Sequence, residues 1–414
     1  MKDSPHIAVV GAGIVGLSCA LWLQRKGFMV TLIDPAEPGS GTSSGNACTI
    51  AEYGCMPVNS PDLFRRLPQL LLSSDSPLSL DLRYALSHPG WMLQFLLNCR
   101  EAKVARITRL LGKLLAKTNE GLDPLLEMAD AQDLVRASGF LRLYATEAEY
   151  RADQAANEIR REQGSEFVEV DSGEIRDLEP NLKMEFARGV FYEHIRQTIN
   201  PHRLCLRYFE AFRRNGGDYQ PRRASAIGHA LDQVEVELDD GDRVGANRVV
   251  IAAGAFSKQI DGIPVQRLPL DTERGYHVHY DGRQSLLQRP VTWHKTGFYA
   301  VPTDEGIRCA GTVEIAGYHE RKNPRNLDYI QRHARQMLDL PETPDRDWLG
   351  FRPTLPDSLP VIGFSTVSEY IIYAFGHHHL GLTLGGITGK LVAELANGEQ
   401  PSHNIKPFRP ARFL

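Results

Sequence analysis

No apolar run in these 414 residues reaches the roughly eighteen that a membrane-crossing helix needs, so the sequence offers no transmembrane candidate. Basic charge is not in excess either: 47 Lys and Arg face 51 Asp and Glu, for a formal net charge of -4. Without a positive field to gather phosphates, no nucleic-acid partner is expected. Cysteines are few. Cys19, Cys48, Cys55, Cys99, Cys205 and Cys309 show no C-x-x-C spacing, which speaks against zinc or any other metal site and against a disulfide framework, and for reduced thiols inside a cell. The chain enters its first strand without a cleavable leader, so a cytoplasmic location is the expectation.

What is present is an ordinary globular composition, 42% hydrophobic and 24% charged, on a chain long enough for two domains. The most informative stretch is His6 to Asp34, HIAVVGAGIVGLSCALWLQRKGFMVTLID. Ile7 to Val10 is a short β-branched run suited to a buried parallel strand, and Gly11, Gly13 and Gly16 follow it at G-x-G-x-x-G spacing. Gly11 permits the tight turn, Gly13 lets backbone approach a pyrophosphate, and Gly16 lets a helix from Ile14 to Lys26 pack on the strand. Ala12, Ile14 and Val15 complete the cradle at the helix N-terminus, where an anion is favoured. Asp34, with Pro35 after it, closes a second strand from Met29 where a carboxylate accepts from ribose hydroxyls and repels a 2′-phosphate. These residues alone leave FAD and NAD open.

Further along, Pro35 to Asn46 is turn-rich, and Leu63 to Asn98 has helical apolar spacing broken by prolines. Ala102 to Met128 reads as one long helix whose basic side (Lys103, Arg106, Arg109, Lys113, Lys117) is a solvated face. A strand at Gly139 to Tyr144, helices at Glu147 to Gln163 and Pro201 to Asn215, and a hairpin turning at Asp240-Gly241 follow. Arg248 to Ser257, RVVIAAGAFS, is a buried strand breaking into small residues, among them Ala253 and Gly254, that let backbone lie close to a ligand or to another backbone.

The last seventy residues add Gly350-Phe351-Arg352-Pro353-Thr354-Leu355-Pro356-Asp357, Pro360-Val361-Ile362-Gly363 and Tyr373-Ala374-Phe375-Gly376-His377-His378-His379-Leu380-Gly381-Leu382-Thr383. With the N-terminal fingerprint, these motifs resemble, in order, the D-amino acid oxidase family of FAD enzymes, which includes D-amino acid dehydrogenases, glycine oxidase and sarcosine oxidase. The Ser-Gly-Asn-Ala loop and Gly311-Thr312-Val313-Glu314 are similar to the dehydrogenase branch.

The resemblance implies an α/β two-domain flavoprotein. A Rossmann-like FAD domain would come from residues 1–85, 190–265 and 345–414, and a mixed-sheet substrate domain from 86–189 and 266–344. It implies that Thr42, Ser43, Ser44, Gly45, Asn46 and Ala47 touch FAD. It also implies that Gly376, His377, His378, Leu380, Gly381, Leu382 and Thr383 run under the flavin into a last helix from Gly386 to Asn397. Arg352 would grip the substrate carboxylate, which suits a guanidinium with two parallel donors; a salt bridge to Asp357 is the structural alternative. His379 would line the pocket mouth or bond to backbone, and Tyr276 would face the flavin or pack in the core. Three consecutive histidines do not make a metal site, because neighbouring loop side chains diverge.

The implied reaction is oxidation of a D-amino acid, including a cyclic one such as D-proline or hydroxy-D-proline, by hydride transfer to flavin N5, giving an imino acid that hydrolyses to the keto acid. FAD is expected to be noncovalent, although Cys309 lies in the region where some sarcosine-oxidising relatives attach it. Oxygen, a quinone or a carrier protein would take the electrons. The stretch from Leu67 to Leu97 is open to peripheral contact with the inner face of a membrane, and homo- or hetero-oligomers are open as well. A glycine- or sarcosine-type amine oxidase, or an inactive flavin-binding subunit of a heteromer, are the alternatives.

Overall fold

A computed structural model of the chain describes residues 4–61, 76–230 and 233–413. Two large sheets organise it. The first has six strands in the order Val361–Phe364, Ile371–Phe375, Arg248–Ile251, His6–Val10, Met29–Ile33 and Asp218–Gln220. All neighbours are parallel except Val361–Phe364, which runs against Ile371–Phe375. The central strands carry Ile7, Val9, Val249, Val250, Ile251, Ile371 and Ile372 with no exposed surface, as expected where both faces of a parallel sheet are covered.

Helices Ile14–Arg25, Thr118–Met128 and Gly381–Ala396 cover one face, and glycines set how closely they meet. A Cβ on Gly389 would lie 2.6 Å from the Ser18 carbonyl oxygen, and one on Gly386 would lie 2.6 Å from the Gly121 carbonyl. Backbone therefore lies on backbone along this seam. Trp22 locks it by donating from Nε1 to the Gly121 carbonyl at 3.1 Å.

The second sheet runs Arg346–Thr354, Asp271–Asp281, Gly306–Ile315, Phe298–Pro302, Val291–Trp293, Phe140–Tyr144, Arg188–Tyr192 and Val168–Asp171, with Leu78–Leu80 added beside Gly306–Ile315. A separate three-stranded ribbon, Ala224–Ala230, Gln233–Leu238 and Arg243–Ala246, turns at Asp240-Gly241 as the sequence predicts.

Several expectations are corrected. The helix read from Ala102 to Met128 is two, Glu101–Leu115 and Thr118–Met128, because Lys117 leaves helical geometry (φ -103°, ψ 6°) and re-aims the second helix so that Gly121 meets Gly386. The last helix begins at Gly381 rather than Gly386, so Gly381, Leu382 and Thr383 form its first turn. The expected domain boundaries also shift. Leu78–Leu80, Arg188–Tyr192 and Arg346–Thr354 all pair in the second sheet, so the chain crosses to it before residue 85, stays past 190 and leaves it after 345. Helices Glu101–Leu115 and Thr118–Met128 pack on the first sheet's helices and not on the second sheet. The apolar stretch from Leu63 lies outside the described residues as far as 75. Beyond it come two short helices, Leu82–Ser87 and Pro89–Asn98, and no helix among the described residues is long and apolar enough to cross a membrane.

The seam makes a stability prediction. Gly386→Ala gains about 1 kcal/mol of helix propensity but forces two backbones apart, at about 1–3 kcal/mol. The expected net result is a lower Tm in a thermal melt followed by circular dichroism.

Candidate active site

The cradle is assembled at the end of the strand His6–Val10. Gly11 adopts φ +107°, and a Cβ there would sit 2.5 Å from the Ala252 carbonyl oxygen, so the turn and the neighbouring strand end require glycine. Gly16 is equally confined against the Gly11 carbonyl. Ala12 donates its N–H to Asp34 at 2.7 Å, and Ala36 donates to the other carboxylate oxygen at 2.9 Å. Each oxygen keeps a lone pair. Burial raises the Asp34 carboxyl above its usual range, while the two backbone donors pull the other way. Pro35 is exposed beside it. Gly13 caps the helix from Ile14 without a side-chain bond, and Ser43 Oγ accepts from Ile14 N at 3.0 Å. The N–H groups of the rest of that first turn, Val15 and Gly16 included, have no intrahelical acceptor, which suits a pyrophosphate.

The Thr42–Ala47 loop joins this cradle to the second sheet. Thr42 Oγ1 donates to the Phe351 carbonyl at 2.9 Å, and Ser44 turns back on Ser40 and Gly41. Asn46 braces the loop from within, donating to the Ser43 carbonyl and accepting from Cys48 N. Gly45 lies against the Trp348 indole so tightly that no side chain fits, and its carbonyl meets His277 Nδ1 at 3.1 Å. Arg308 Nη1 donates to the carbonyls of Ser44 at 2.9 Å and Asn46 at 2.6 Å. Ala47 ends the loop by accepting from Thr49 N. Ala253 and Gly254, the latter at φ +56°, open a 3₁₀ turn after the neighbouring strand.

On the other side, the histidine segment is a 3₁₀ turn, His378–Leu380, leading into the helix from Gly381. Gly376 at φ +84° packs against Leu355. His377 bonds Thr388 Oγ1 through Nε2 at 2.9 Å. His378, at φ +51°, accepts the Leu355 N–H on Nε2 at 3.0 Å, so its proton resides on Nδ1. Neither Nδ1 has a hydrogen-bond partner among the described residues. Burial pushes both imidazoles down to about 3, so they are neutral. Leu380 and Leu382 are buried, and Thr383 Oγ1 accepts from Ala51 N at 2.9 Å.

His379 differs from its two neighbours. Its ring is open to solvent-sized space yet densely surrounded, so it lines a recess, and burial with the Arg352 charge pushes it down to about 4. Arg352 is half-buried on the strand Arg346–Thr354, and its guanidinium lies over Gly275, where a Cβ would come within 2.5 Å of Cζ. The salt-bridge alternative fails, since Asp357 pairs with Arg412 at 2.7 Å. Arg352 has no ion pair or side-chain hydrogen bond among the described residues.

Of the two readings open for Tyr276, facing the flavin or packing in the core, the structure takes the core. Strand register puts Glu273, Gly275 and His277 opposite Arg352, Gly350 and Trp348, all on one face of the sheet. Tyr276 points to the other face, 1% exposed, and its hydroxyl donates to Glu314, which also holds Arg274 and Asn323. The Gly311-Thr312-Val313-Glu314 motif is therefore structural here: Gly311 forms the bulge and Glu314 anchors the far face. Cys309 pairs with Val278 on that same far face, fully buried, with burial raising its thiol. Reading the sequence did not single out Glu273, His277, Arg308 or Trp348. Arg308 alone carried a signal, as a charge inside the apolar strand Gly306–Ile315.

A nucleotide cradle, a loop braced against it by Ser43 and Arg308, unpartnered buried imidazole nitrogens and a guanidinium without an ion pair among the described residues together fit FAD with a small anionic substrate beside it. The chain belongs to the FAD-dependent oxidoreductase (DAO) family, whose model matches residues 6–395. It is thus an FAD-dependent oxidoreductase. A D-amino-acid oxidase of Bradyrhizobium diazoefficiens is 31% identical over the full length of both chains. D-amino acid dehydrogenase 2 of Pseudomonas aeruginosa is 29% identical over 99% of each. Among solved structures, glycine oxidase from Geobacillus kaustophilus shares the fold with a TM-score of 0.74, at 20% identity over 99% of each chain.

Two charge-assisted hydrogen bonds from one side chain hold the Thr42–Ala47 loop, each contributing about 1.5–3 kcal/mol. Arg308→Ala is expected to weaken FAD retention by roughly tenfold or more, measured as flavin released into the filtrate at equilibrium. Unchanged retention would show that the loop holds its shape without Arg308.

Proposed function

We propose that this chain oxidises the α-carbon–nitrogen bond of a D-amino acid to the imino acid, which hydrolyses to the keto acid. The observation that carries this reading is the unpartnered Arg352 guanidinium held over Gly275, facing the recess that His379 lines. A half-buried cation without an ion pair among the described residues is costly, and a substrate carboxylate would accept its two parallel donors. The D configuration is supported by the names of the curated relatives, an oxidase and two dehydrogenases of D-amino acids.

Bound FAD supplies the two-electron acceptor. It would be held, noncovalently, by Gly11 to Gly16, by Asp34 and by the Thr42–Ala47 loop, with the helix from Gly381 directing its positive end toward the ring. The protein's own contribution is positional. Arg352 fixes the carboxylate, and His379, neutral above about pH 5, closes the recess without adding charge. A cyclic substrate such as D-proline is the finer version of this reading. It rests on His379 alone, because His377 and His378 turn to Thr388 and Leu355. Glycine or sarcosine would use the same carboxylate grip.

Electrons would pass on to oxygen, a quinone or a carrier protein. Leu82, Leu86, Leu93 and Leu97 are exposed on the two short helices of residues 82–98, which supports peripheral contact with an apolar surface.

The test is anaerobic bleaching of the flavin absorbance by matched D- and L-amino acids, D-proline analogues, glycine and sarcosine. D-isomers alone should bleach it, glycine or sarcosine alone would select the amine-oxidase reading, and a yellow protein indifferent to all would mark an inactive subunit. Arg352→Ala should keep its flavin and raise KM about 100-fold or more. Normal reduction by the same substrate at the same KM would remove Arg352 as the anchor.

A further inference from the structure

Arg352 has a neighbour of opposite charge with which it does not pair. Glu273 stands directly across from it on the adjacent antiparallel strand, so both side chains leave the same face of the sheet. Glu273 is 2% exposed, and neither charged group has an ion pair or side-chain hydrogen bond among the described residues. The guanidinium instead leans along the strand and rests over Gly275. Two opposite charges on one face of the sheet that attract each other without forming an ion pair offer matching partners to a ligand carrying both signs. The step from residue 273 to residue 275 spans about 6.6 Å. That accommodates a carboxylate on the guanidinium and an amine one carbon away, beside the Glu273 oxygens.

The surrounding charges agree with this assignment. On Glu273's own strand, Asp271 is occupied by the Tyr84 hydroxyl at 2.6 Å, from the helix Leu82–Ser87, and by Thr272 N at 2.7 Å. Tyr318 approaches Asp271 and donates to the Ala255 carbonyl. Arg274 lies on the far face, held by Glu314. His379, beyond Arg352, is neutral. Arg352 is therefore the cation that faces Glu273 across the strands.

We propose that Glu273 receives the α-ammonium group of the substrate whose carboxylate Arg352 holds, and takes one of its protons. This deepens the proposed function and rests on it. One ammonium N–H bond breaks and one carboxyl O–H bond forms on Glu273. The electron pair stays on nitrogen, and no electrons leave the substrate in this step. The product is the neutral amine that C–H oxidation requires.

Burial pushes Glu273 up to about 7, with Arg352 drawing it down and Asp271 adding to the rise. Below that value the group is already protonated and cannot take a proton from an ammonium. Substrate efficiency is thus expected to climb as pH rises through about 7.

The experiment compares native holoenzyme with Glu273→Gln and Glu273→Asp. It measures D-alanine by anaerobic flavin reduction across pH, and propionate, which lacks the amine, by calorimetric titration. Glu273→Gln should retain FAD, bind propionate roughly tenfold more tightly once the opposing carboxylate is gone, reduce with D-alanine at roughly tenfold lower efficiency, and lose the limb near pH 7. Glu273→Asp should restore the limb. Loss of affinity for propionate and D-alanine together would assign Glu273 a purely structural role and overturn the proposal, as would a limb that persists in Glu273→Gln. If no amino acid of the panel reduces native enzyme, the functional reading itself fails, and the ammonium role falls with it. If D-alanine reduces both forms alike, only the Glu273 assignment fails.

Discussion

The Thr42–Ala47 loop is the constraint on which the site depends, because this short piece of chain touches both the helix of the nucleotide cradle and the second sheet. Its Ser43 hydroxyl satisfies the first N–H of the helix from Ile14, while Gly45 lies flat against the Trp348 indole. The indole is stacked on His277 at 5.0 Å and 11°, so it cannot retreat. The distance between the nucleotide cradle and the face that carries Arg352 is thereby set by close packing of a glycine on an aromatic ring. A Cβ at residue 45, or a smaller ring at 348, would let the two halves drift by the amount that positioning of a substrate cannot tolerate.

Around that clamp, charge is kept scarce. Burial strips the proton from all three consecutive histidines at neutral pH, so the segment beside the recess is polar but uncharged. His378 then works as an acceptor, tying Leu355, and with it the strand end that bears Arg352, to the turn that leads into the last helix. Under the proposed function, neutral imidazoles would add no second cation to compete with Arg352 for a substrate carboxylate.

The cradle was legible because its chemistry is local: strand, glycines, helix, second strand and acid lie within residues 6–34, where one turn and one helix N-terminus fix the geometry. Arg352 stood out through its motif, and the structure places its guanidinium over Gly275. The rest was hidden by strand register. Arg274-Gly275-Tyr276-His277 drew attention to the correct strand, but side chains alternate, and the residues that share a face with Arg352 are 273, 275 and 277. A one-residue parity error exchanges a core tyrosine for a recess carboxylate. Parity is decided by pairing with residues 346–354, some 75 positions away, which local pattern does not contain. The bulge at Gly311 compounds the difficulty, since it shifts the alternation of the next strand and brings Arg308 to the near face.

The same non-locality bears on how the cofactor and the fold support each other. The first sheet draws its strands from residues 6–33, 218–251 and 361–375, and the cradle's back wall, Ala252, and the helix at 381 both arrive late in the chain. Until those segments return, Gly11 has nothing to pack on, and the loop at 42–47 has no Trp348 to lie against. The cradle is therefore complete only in the finished fold, and FAD, which needs it complete, binds the folded chain and stabilises it by mass action. Substitutions along the glycine seam between residues 121, 386 and 389, though remote from Arg352, act on the cofactor site through that linkage, because the helix they displace is the one whose first turn receives Ala51 on Thr383.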